Sequence, residues 1–175
     1  MPGEVGHSIP NRVLVRESVR VVVAYDDEWD VALGAEAESW SRLLVSLVSG
    51  EFRGVGLHLL PVRVVRWVSP AALLTASEVT EELAAAVPVG DADMVLGLTA
   101  TEMAGSADGY GEVGGRYAIV AHHPGHPERD VMVAAHEIAH LFGATHGCDA
   151  QRRTGLMAEQ GFAEPDILCL RFSRS

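Results

Sequence analysis

VMVAAHEIAHLFGATH, residues 131–146, is the most informative stretch of the sequence, because it contains histidines and a glutamate in the pattern H-E-x-x-H-x-x-G-x-x-H. Residues four apart on an α-helix are separated by about 400° of rotation, so His136 and His140 project from one face, one turn apart. Both imidazoles can therefore bind one metal ion. Glu137 is rotated by about 100° from His136, which places it near a water on the open side of that ion, in the position of a general base.

The end of this helix is expected to bring in a third ligand. Gly143 lacks a Cβ and can take the left-handed conformation that ends a helix, so the chain turns sharply and His146 returns to the metal. Three neutral imidazoles and a water are the ligands of a catalytic zinc ion, whereas a structural site fills the fourth position with another side chain. Five specified residues at fixed offsets occur by chance about once in 3 × 10⁶ windows, which disfavours a core helix with incidental histidines. An intact metal site without turnover stays open as an alternative.

These residues resemble the signature of the metzincin clan of zinc metallopeptidases, which also requires a methionine in a tight turn beneath the metal. Met157, within the sequence GLMA of residues 155–158, lies eleven residues after His146 and is the candidate for this Met-turn. A methionine after a glycine is otherwise ordinary core filler. The resemblance implies an α/β fold of the metzincin type, with a twisted mixed sheet, backing helices, an active-site helix and a small irregular C-terminal subdomain.

Length and composition fit one compact catalytic domain behind a short arm. The chain has 175 residues, of which 48% are hydrophobic and 21% charged, and this balance is typical of a globular protein rather than a disordered one. Residues 1–18 have no clear periodicity and are interpreted as an N-terminal arm. Residues 19–175 form the single metallopeptidase domain, with an upper part at 19–146 and a lower part at 147–175.

Charge excludes one class of partner. The net charge is −11, with 24 acidic residues against 13 basic ones, and no basic patch stands out that could neutralise phosphates. Nucleic acid is therefore not an expected partner. No apolar run reaches the roughly 20 residues that span a bilayer, and the N-terminus lacks the order of a signal peptide. We expect a peptide or protein substrate, no membrane partner, and a monomer.

The two cysteines, Cys148 and Cys169, flank the candidate Met-turn. A disulfide between them is the favoured interpretation, and it would join the C-terminal tail to the region near the metal in an oxidising compartment. Two free buried thiols would instead suit the cytoplasm. The compartment stays open, with a secreted or extracytoplasmic location favoured by the disulfide.

Periodicity predicts an alternation of strands and helices. An amphipathic helix is expected over residues 30–49, ended by Gly50, and a second from Ser69 and Pro70 to Ala86, with a possible capping box at Thr75. His58 stands alone among apolar neighbours and is interpreted as structural.

Five glycines in residues 105–115 predict a loop that contains no helix or strand. The expected strands are residues 19–25, 57–68 (kinked or at an edge near Pro61), 94–98 and 116–121.

The strand before the metal helix is a candidate for substrate binding. In metzincins the corresponding strand lies at the sheet edge, antiparallel to the bound substrate, and an exposed edge offers unpaired N–H and C=O groups to an extended peptide. The resemblance also places two residues of the lower part in the wall of the specificity pocket. The predicted substrate-contacting residues are Gly115, Arg116, Tyr117, Ala118 and Ile119 of the strand, and Gly161 and Phe162 of the lower part.

A second group of histidines precedes the metal helix in the sequence HHPGH. His122 and His126 are four apart, but Pro124 and Gly125 interrupt any helix, so the argument for a shared face does not apply. A surface loop is the favoured interpretation, with a second metal site or a contact at the rim of the cleft as alternatives. Asp130 is predicted to cap the metal helix and to place negative charge at its positive end.

The sequence departs from the patterns of several metzincin subfamilies. Astacin-like and serralysin-like enzymes have a tyrosine two residues after the methionine, where this chain has Glu159. Archaemetzincins have a cysteine directly after the third histidine, where this chain has Gly147, and a cysteine cluster beyond. The subfamily is therefore not assigned, and a second structural zinc is not expected.

The pattern and the resemblance together predict a zinc-dependent endopeptidase with one Zn²⁺ held by His136, His140 and His146. Glu137 would activate the attacking water and pass its proton to the leaving amine. A zinc-bearing module that binds peptides or proteins without cleaving them is the alternative from another class. Hydrolysis of a non-peptide amide is a third possibility.

Overall fold

A five-stranded mixed sheet forms the centre of the molecule. The structure is a computed structural model that describes residues 17–69 and 73–146. The spatial order of the strands is β2-β1-β3-β5-β4, and the first four run parallel while β4 is antiparallel to β5. The strands are β1 (Glu17–Tyr25), β2 (Leu57–Arg66), β3 (Met94–Thr99), β4 (Gly109–Gly111) and β5 (Tyr117–Ala121). The helices are α1 (Asp27–Leu33), α2 (Ala37–Glu51), α3 (Ala76–Ala86) and α4 (Pro127–Leu141).

Helices cover both faces of the sheet, which explains why the central strands consist of apolar runs rather than alternating residues. All six residues of β3 are buried. On one face, Trp29 of α1, Leu44 of α2 and Ile138 of α4 share a hydrophobic cluster. On the other face, Leu83 of α3 packs with Ile119. A parallel strand buried on both sides is expected to be rich in valine and leucine, as β1 and β3 are. The predicted α/β class is confirmed.

All four predicted strands are present, as β1, β2, β3 and β5, and their bounds differ from the predicted ones by at most two residues. The edge position expected for the proline-containing strand is also confirmed, since β2 forms one end of the sheet. The register between β1 and β2 shifts beside Pro61, because Val21 pairs with Pro61 and Val22 with Arg63. A proline cannot donate to a ladder, so an edge with a bulge is where it is tolerated.

The helix predicted over residues 30–49 is wrong in its bounds and in its continuity. It begins earlier, at Asp27, where the Asp26 side chain accepts a hydrogen bond from the Trp29 amide at 2.7 Å. It is then broken by a 3₁₀ turn at Gly34–Glu36, where Gly34 has a φ of 56°. Gly50 does not end it, since α2 continues to Glu51. Glycines with positive φ occur instead at Gly34 and, after the helix, at Gly56, where φ is 82°.

Helix α3 begins later than predicted, and its capping box is confirmed. Ser69 and residues 73–75 are not helical, and the helix starts at Ala76. Thr75 accepts a hydrogen bond from the Glu78 amide while the Glu78 carboxylate accepts one from the Thr75 amide. The helix ends at Ala86, two residues before Pro88, as proline's poor fit to a helix interior predicts.

The glycine-rich segment of residues 105–115 contains an element that the sequence did not predict. Gly109–Gly111 forms β4, which pairs with β5 and makes the outer edge of the sheet. The predicted edge position of the strand before the metal helix is therefore wrong, since β5 lies between β3 and β4. Glycine rarely favours a strand by itself, so the reason for β4 must lie in its contacts.

Candidate metal centre

Helix α4 supplies most of the candidate centre, and it begins before the residue expected to cap it. Its first residue is Pro127, a favoured first position because proline has no amide hydrogen to leave unpaired. Asp130 is the fourth residue of the helix and is fully buried, so its predicted role as the cap is wrong. The Asp130 carboxylate instead accepts a hydrogen bond from the His123 amide at 2.8 Å.

Three imidazoles, two from this helix and one from the turn that follows it, come together. The Nε2 atom of His146 lies 3.0 Å from Nε2 of His136 and 3.2 Å from Nε2 of His140. The ligand atoms of all three residues lie within 4.8 Å of one another. His140 is buried, whereas His136 is half-buried and His146 is exposed. The helical spacing of four and the turn after it thus bring the three predicted ligands to one point.

The turn that returns His146 is the one predicted from Gly143. Helix α4 ends at Leu141, and Gly143 follows with a φ of 88°, in the left-handed region that favours glycine. The Gly143 amide donates to the His140 carbonyl at 2.8 Å. A second carbonyl at the helix end is also bonded within the turn, since the Ala144 amide donates to the Ala139 carbonyl at 3.1 Å.

The His140 ring is oriented for metal binding by a partner that the sequence did not identify. Its Nδ1 lies 2.9 Å from the Ala144 carbonyl oxygen, which can only accept, so Nδ1 donates the hydrogen. In the neutral ring, Nε2 then carries the lone pair and points to the other imidazoles. Burial lowers the pKa of His140, and the neighbouring His136 and His146 lower it further. The environment therefore favours the neutral, ligating form.

The spacing of the nitrogens fits a tetrahedral metal ion. A zinc ion with bonds of about 2.0–2.1 Å to nitrogen separates its ligand atoms by about 3.3 Å. Two of the three separations, 3.0 and 3.2 Å, are close to that value, and all three are within 4.8 Å. Imidazole is a good ligand for zinc and other late first-row divalent ions. His136, His140 and His146 could therefore hold one metal ion.

Glu137 lies beside the histidines in a protected position. Its side chain is 7% exposed, and burial raises the pKa of the carboxyl group to about 8, with the Asp108 carboxylate adding to the effect. One hydrogen bond opposes this shift, since the Gly111 amide donates to the Glu137 carboxylate. A cation bound nearby would lower this pKa, because it stabilises the charged form.

The predicted substrate-contacting residues of β5 do not have a free edge to offer. Ala118 and Ile119 are fully buried, and they pair with Leu96 and Gly97 of β3 on one side and with β4 on the other. Tyr117 donates its hydroxyl to the Val87 carbonyl at 3.1 Å.

Arg116, just before β5, also uses its side chain to donate hydrogen bonds to backbone carbonyls. Its guanidinium donates to the carbonyls of Ala92 and Asp93 at 2.5 and 2.9 Å. Gly115 lies in a turn, where its amide donates to the Glu112 carbonyl at 2.8 Å. The open edge of the described sheet on this side belongs to β4.

The histidines of HHPGH form a second polar cluster at the other end of α4. Nδ1 of His122 and Nδ1 of His123 each lie 2.8 Å from an oxygen of Asp130, and Nε2 of His123 lies 2.9 Å from Asp108. Residues 122–126 form a loop, as predicted, with Pro124, Gly125 and His126 exposed, whereas His122 and His123 are half-buried. Within residues 17–69 and 73–146, one group of metal-binding side chains is placed to hold a metal ion, and it consists of His136, His140 and His146. Sequence reasoning missed Asp108, whose position depends on β4.

His58 has a structural contact, as its isolated position suggested. Its Nδ1 lies 3.1 Å from the Ser49 hydroxyl, which also accepts a hydrogen bond from the Leu59 amide at 3.0 Å. Several other predicted features lie outside the described residues. They are most of the N-terminal arm, the Met-turn with Met157, the candidate pocket residues Gly161 and Phe162, and the cysteines Cys148 and Cys169.

No protein-family model matches the chain, and no curated protein sequence matches it. Many solved structures are similar in fold, and two of them align with most of this chain. One is the structure of a chaperone–substrate complex, with a TM-score of 0.67 and 15% identity over 85% of this chain, which spans 28% of that chain. The other is the crystal structure of archaemetzincin from Methanopyrus kandleri, with a TM-score of 0.61 and 20% identity over 87% of this chain and 86% of that one.

The fold is metzincin-like. At 20% identity this likeness concerns the fold alone, so the histidine geometry carries the chemical argument separately. Within this fold, α4 follows β5 and carries His136 and His140, and the turn after the helix brings in His146. In the described part of the chain, no helix has the length and apolar character needed to cross a membrane.

Proposed function

We propose that this chain is a zinc-dependent endopeptidase. The observation that carries the proposal is the convergence of three histidine Nε2 atoms beside a buried glutamate, within a metzincin-like fold. His136, His140 and His146 would bind the zinc as neutral imidazoles, and the hydrogen bond from His140 to the Ala144 carbonyl supports this ligand form. A zinc ion bound there would act as a Lewis acid on water and on a substrate carbonyl.

Glu137 would provide the proton transfers. Its carboxylate would accept a proton from the attacking water and then donate it to the leaving amine, so that no serine or cysteine nucleophile is needed. Burial supports this role, because a carboxyl group with a raised pKa can hold a proton between the two steps. His136, Glu137 and His140 lie on α4, so one helix fixes the positions of two of the histidines relative to the base.

The edge strand β4 would hold the substrate, in place of the strand first predicted. β4 is bonded to β5 on one side only, and it lies against α4 close to Glu137. An extended peptide can add to such an edge through backbone hydrogen bonds, which would permit cleavage with limited sequence preference. Met157, Gly161 and Phe162 stay part of the proposal as the Met-turn and the pocket wall.

The proposal is tested by metal content together with peptide cleavage. The purified full chain should bind one zinc ion and should cleave members of a quenched peptide library, and a chelator should abolish cleavage. Glu137→Ala should retain zinc and lose cleavage by about 10²- to 10⁴-fold, the usual effect of a general base. Glu128→Ala is the matched control, because Glu128 lies on the same helix but is exposed.

Two results would contradict the hydrolysis of peptides. If the wild type binds zinc and peptides but is as inert as Glu137→Ala on every peptide, the chain is a binding module. If it cleaves small amides but no peptide, the substrate class is wrong. Failure to bind zinc with the histidines intact would remove the chemical basis of the zinc endopeptidase and also of the zinc-bearing binding module.

A further inference from the structure

Two glycines of β4 form a surface against which Glu137 packs. A Cβ atom on Gly111 would lie well within 3.0 Å of the Glu137 carbonyl oxygen, closer than real Cβ atoms approach. A Cβ atom on Gly109 would lie 2.9 Å from Cγ of Glu137 and 2.9 Å from Cγ1 of Val133. Only glycine allows the strand and the helix to come this close. This contact gives the reason for a strand in a segment whose composition predicts a loop.

The hydrogen-bond pattern of β4 leaves the Gly111 amide without a partner in β5. The Ala121 amide donates to the Asp108 carbonyl at 2.8 Å, so these two residues form a hydrogen-bonded pair of the antiparallel ladder. Such pairs alternate with non-bonded ones, so Tyr110 and Ile119 form the next bonded pair. The N–H and C=O groups of Gly109 and Gly111 consequently point away from β5. The Gly111 amide is the group that donates to the Glu137 carboxylate.

We infer that Gly109 and Gly111 are positioning residues for the Glu137 carboxylate. The inference rests on the proposed function for its catalytic meaning. The Gly111 amide fixes one oxygen of the carboxylate, and the bare surface of both glycines fixes the distance between strand and base. Since the same strand is the proposed edge for substrate, a shift of β4 would move the substrate and the base relative to each other. Errors of about 1 Å in such an arrangement can reduce rates by about 100-fold.

A rate comparison separates positioning from simple packing. Gly111→Ala should keep one zinc per chain, since its Cβ meets the helix backbone and not a ligand ring, while kcat should fall by about 10- to 100-fold. KM should change less than kcat. Gly50→Ala is the matched control, because that glycine has nothing within 4 Å of its missing Cβ and is expected to leave kcat unchanged. A Gly111→Ala protein with normal zinc content and normal kcat would overturn the inference, as would a rise in KM alone.

A second measurement does not depend on activity. In the full chain, Glu137→Ala should shift the Gly111 amide proton resonance upfield and accelerate its exchange with solvent, because its acceptor is removed. The Gly34 amide, which donates to the Asp30 carbonyl at the end of α1, is the internal control and should not change. An unchanged Gly111 resonance would refute the contact even if Gly111→Ala fails to fold. If the wild type cleaves no peptide, the proposed function fails, while this measurement still decides whether Gly111 holds the carboxylate.

Discussion

The two ends of α4 both gather histidines, but they satisfy them differently. At the N-terminal end, the ring nitrogens of His123 face the carboxylates of Asp130 and Asp108, and His122 also faces Asp130. At the C-terminal end, the Nε2 atoms of the triad face one another. A nitrogen paired with a carboxylate is part of a complete polar cluster, whereas nitrogens that converge on one point are arranged for a cation. The partner atoms therefore distinguish a structural histidine from a ligand better than the spacing does.

The largest effect is expected from removing a ligand at the C-terminal end. His140→Ala should lower zinc affinity by more than about 100-fold, beyond the 10- to 100-fold usual for losing an outer partner, and should abolish peptide cleavage. His123→Ala is the matched change at the other end and should leave one zinc per chain. Competition with a chromophoric chelator measures both affinities. Equal zinc loss in the two variants would mean that both ends depend on metal.

The next effect concerns the stability of the N-terminal end. Asp130→Ala removes a fully buried carboxylate that His122 and His123 both contact, so it leaves the polar groups of two half-buried side chains without their acceptor. The free energy of unfolding should fall by about 3–5 kcal/mol, as measured by urea denaturation. Glu128→Ala, an exposed change in the same turn of the helix, should change it by less than about 0.5 kcal/mol. A loss for Asp130→Ala no larger than for this control would contradict the cluster's structural role.

The two ends of α4 should respond to acid at different pH values. Zinc requires neutral imidazoles, so its affinity should decline as the pH falls below about 6.5, although burial keeps His140 neutral to a lower pH. The N-terminal end of α4 should lose stability only at a lower pH. Although burial opposes the shift, hydrogen bonds from His123 and Arg129 hold the pKa of Asp108 below its ordinary value. A carboxyl with a lowered folded-state pKa stabilises the fold above its unfolded pKa of about 3.9, and this contribution disappears as the pH falls through the folded value.

A pH titration of metal content and of circular dichroism measures the two events on the same sample. Zinc release should come first, near neutral to mildly acidic pH, while the loss of stability from Asp108 should be small and should come below about pH 4. Simultaneous transitions would show that the two ends of α4 are coupled rather than independent.

The sequence predicted the local parts of the site, because they depend on helical geometry. The spacing of His136, His140 and Gly143 is enough to place two rings on one face and to end the helix with a left-handed turn, and both features are present. The start of α4 was also predictable from the sequence, since Pro127 is a favoured first residue. The prediction instead placed the start after Asp130, because aspartate is a common capping residue.

The parts that failed depend on contacts between distant segments. β4 exists because Gly109 and Gly111 fit against Glu137, and no local propensity indicates this. The position of β5 inside the sheet follows from β4, so one missed strand displaced the predicted substrate edge. Similarly, the burial of Asp130 depends on His122 and His123, whose roles are visible only when the loop packs on the helix.

The bulge beside Pro61 affects how chains of this protein can meet. Unprotected sheet edges invite association between copies, and a proline, a register break and arginines along an edge are common protections against it. β2 has all three, with Arg63 and Arg66 following Pro61. Of the two edges of the described sheet, the β2 edge is thus protected against association between copies of the chain. The β4 edge is the one to which a strand of another molecule can bind.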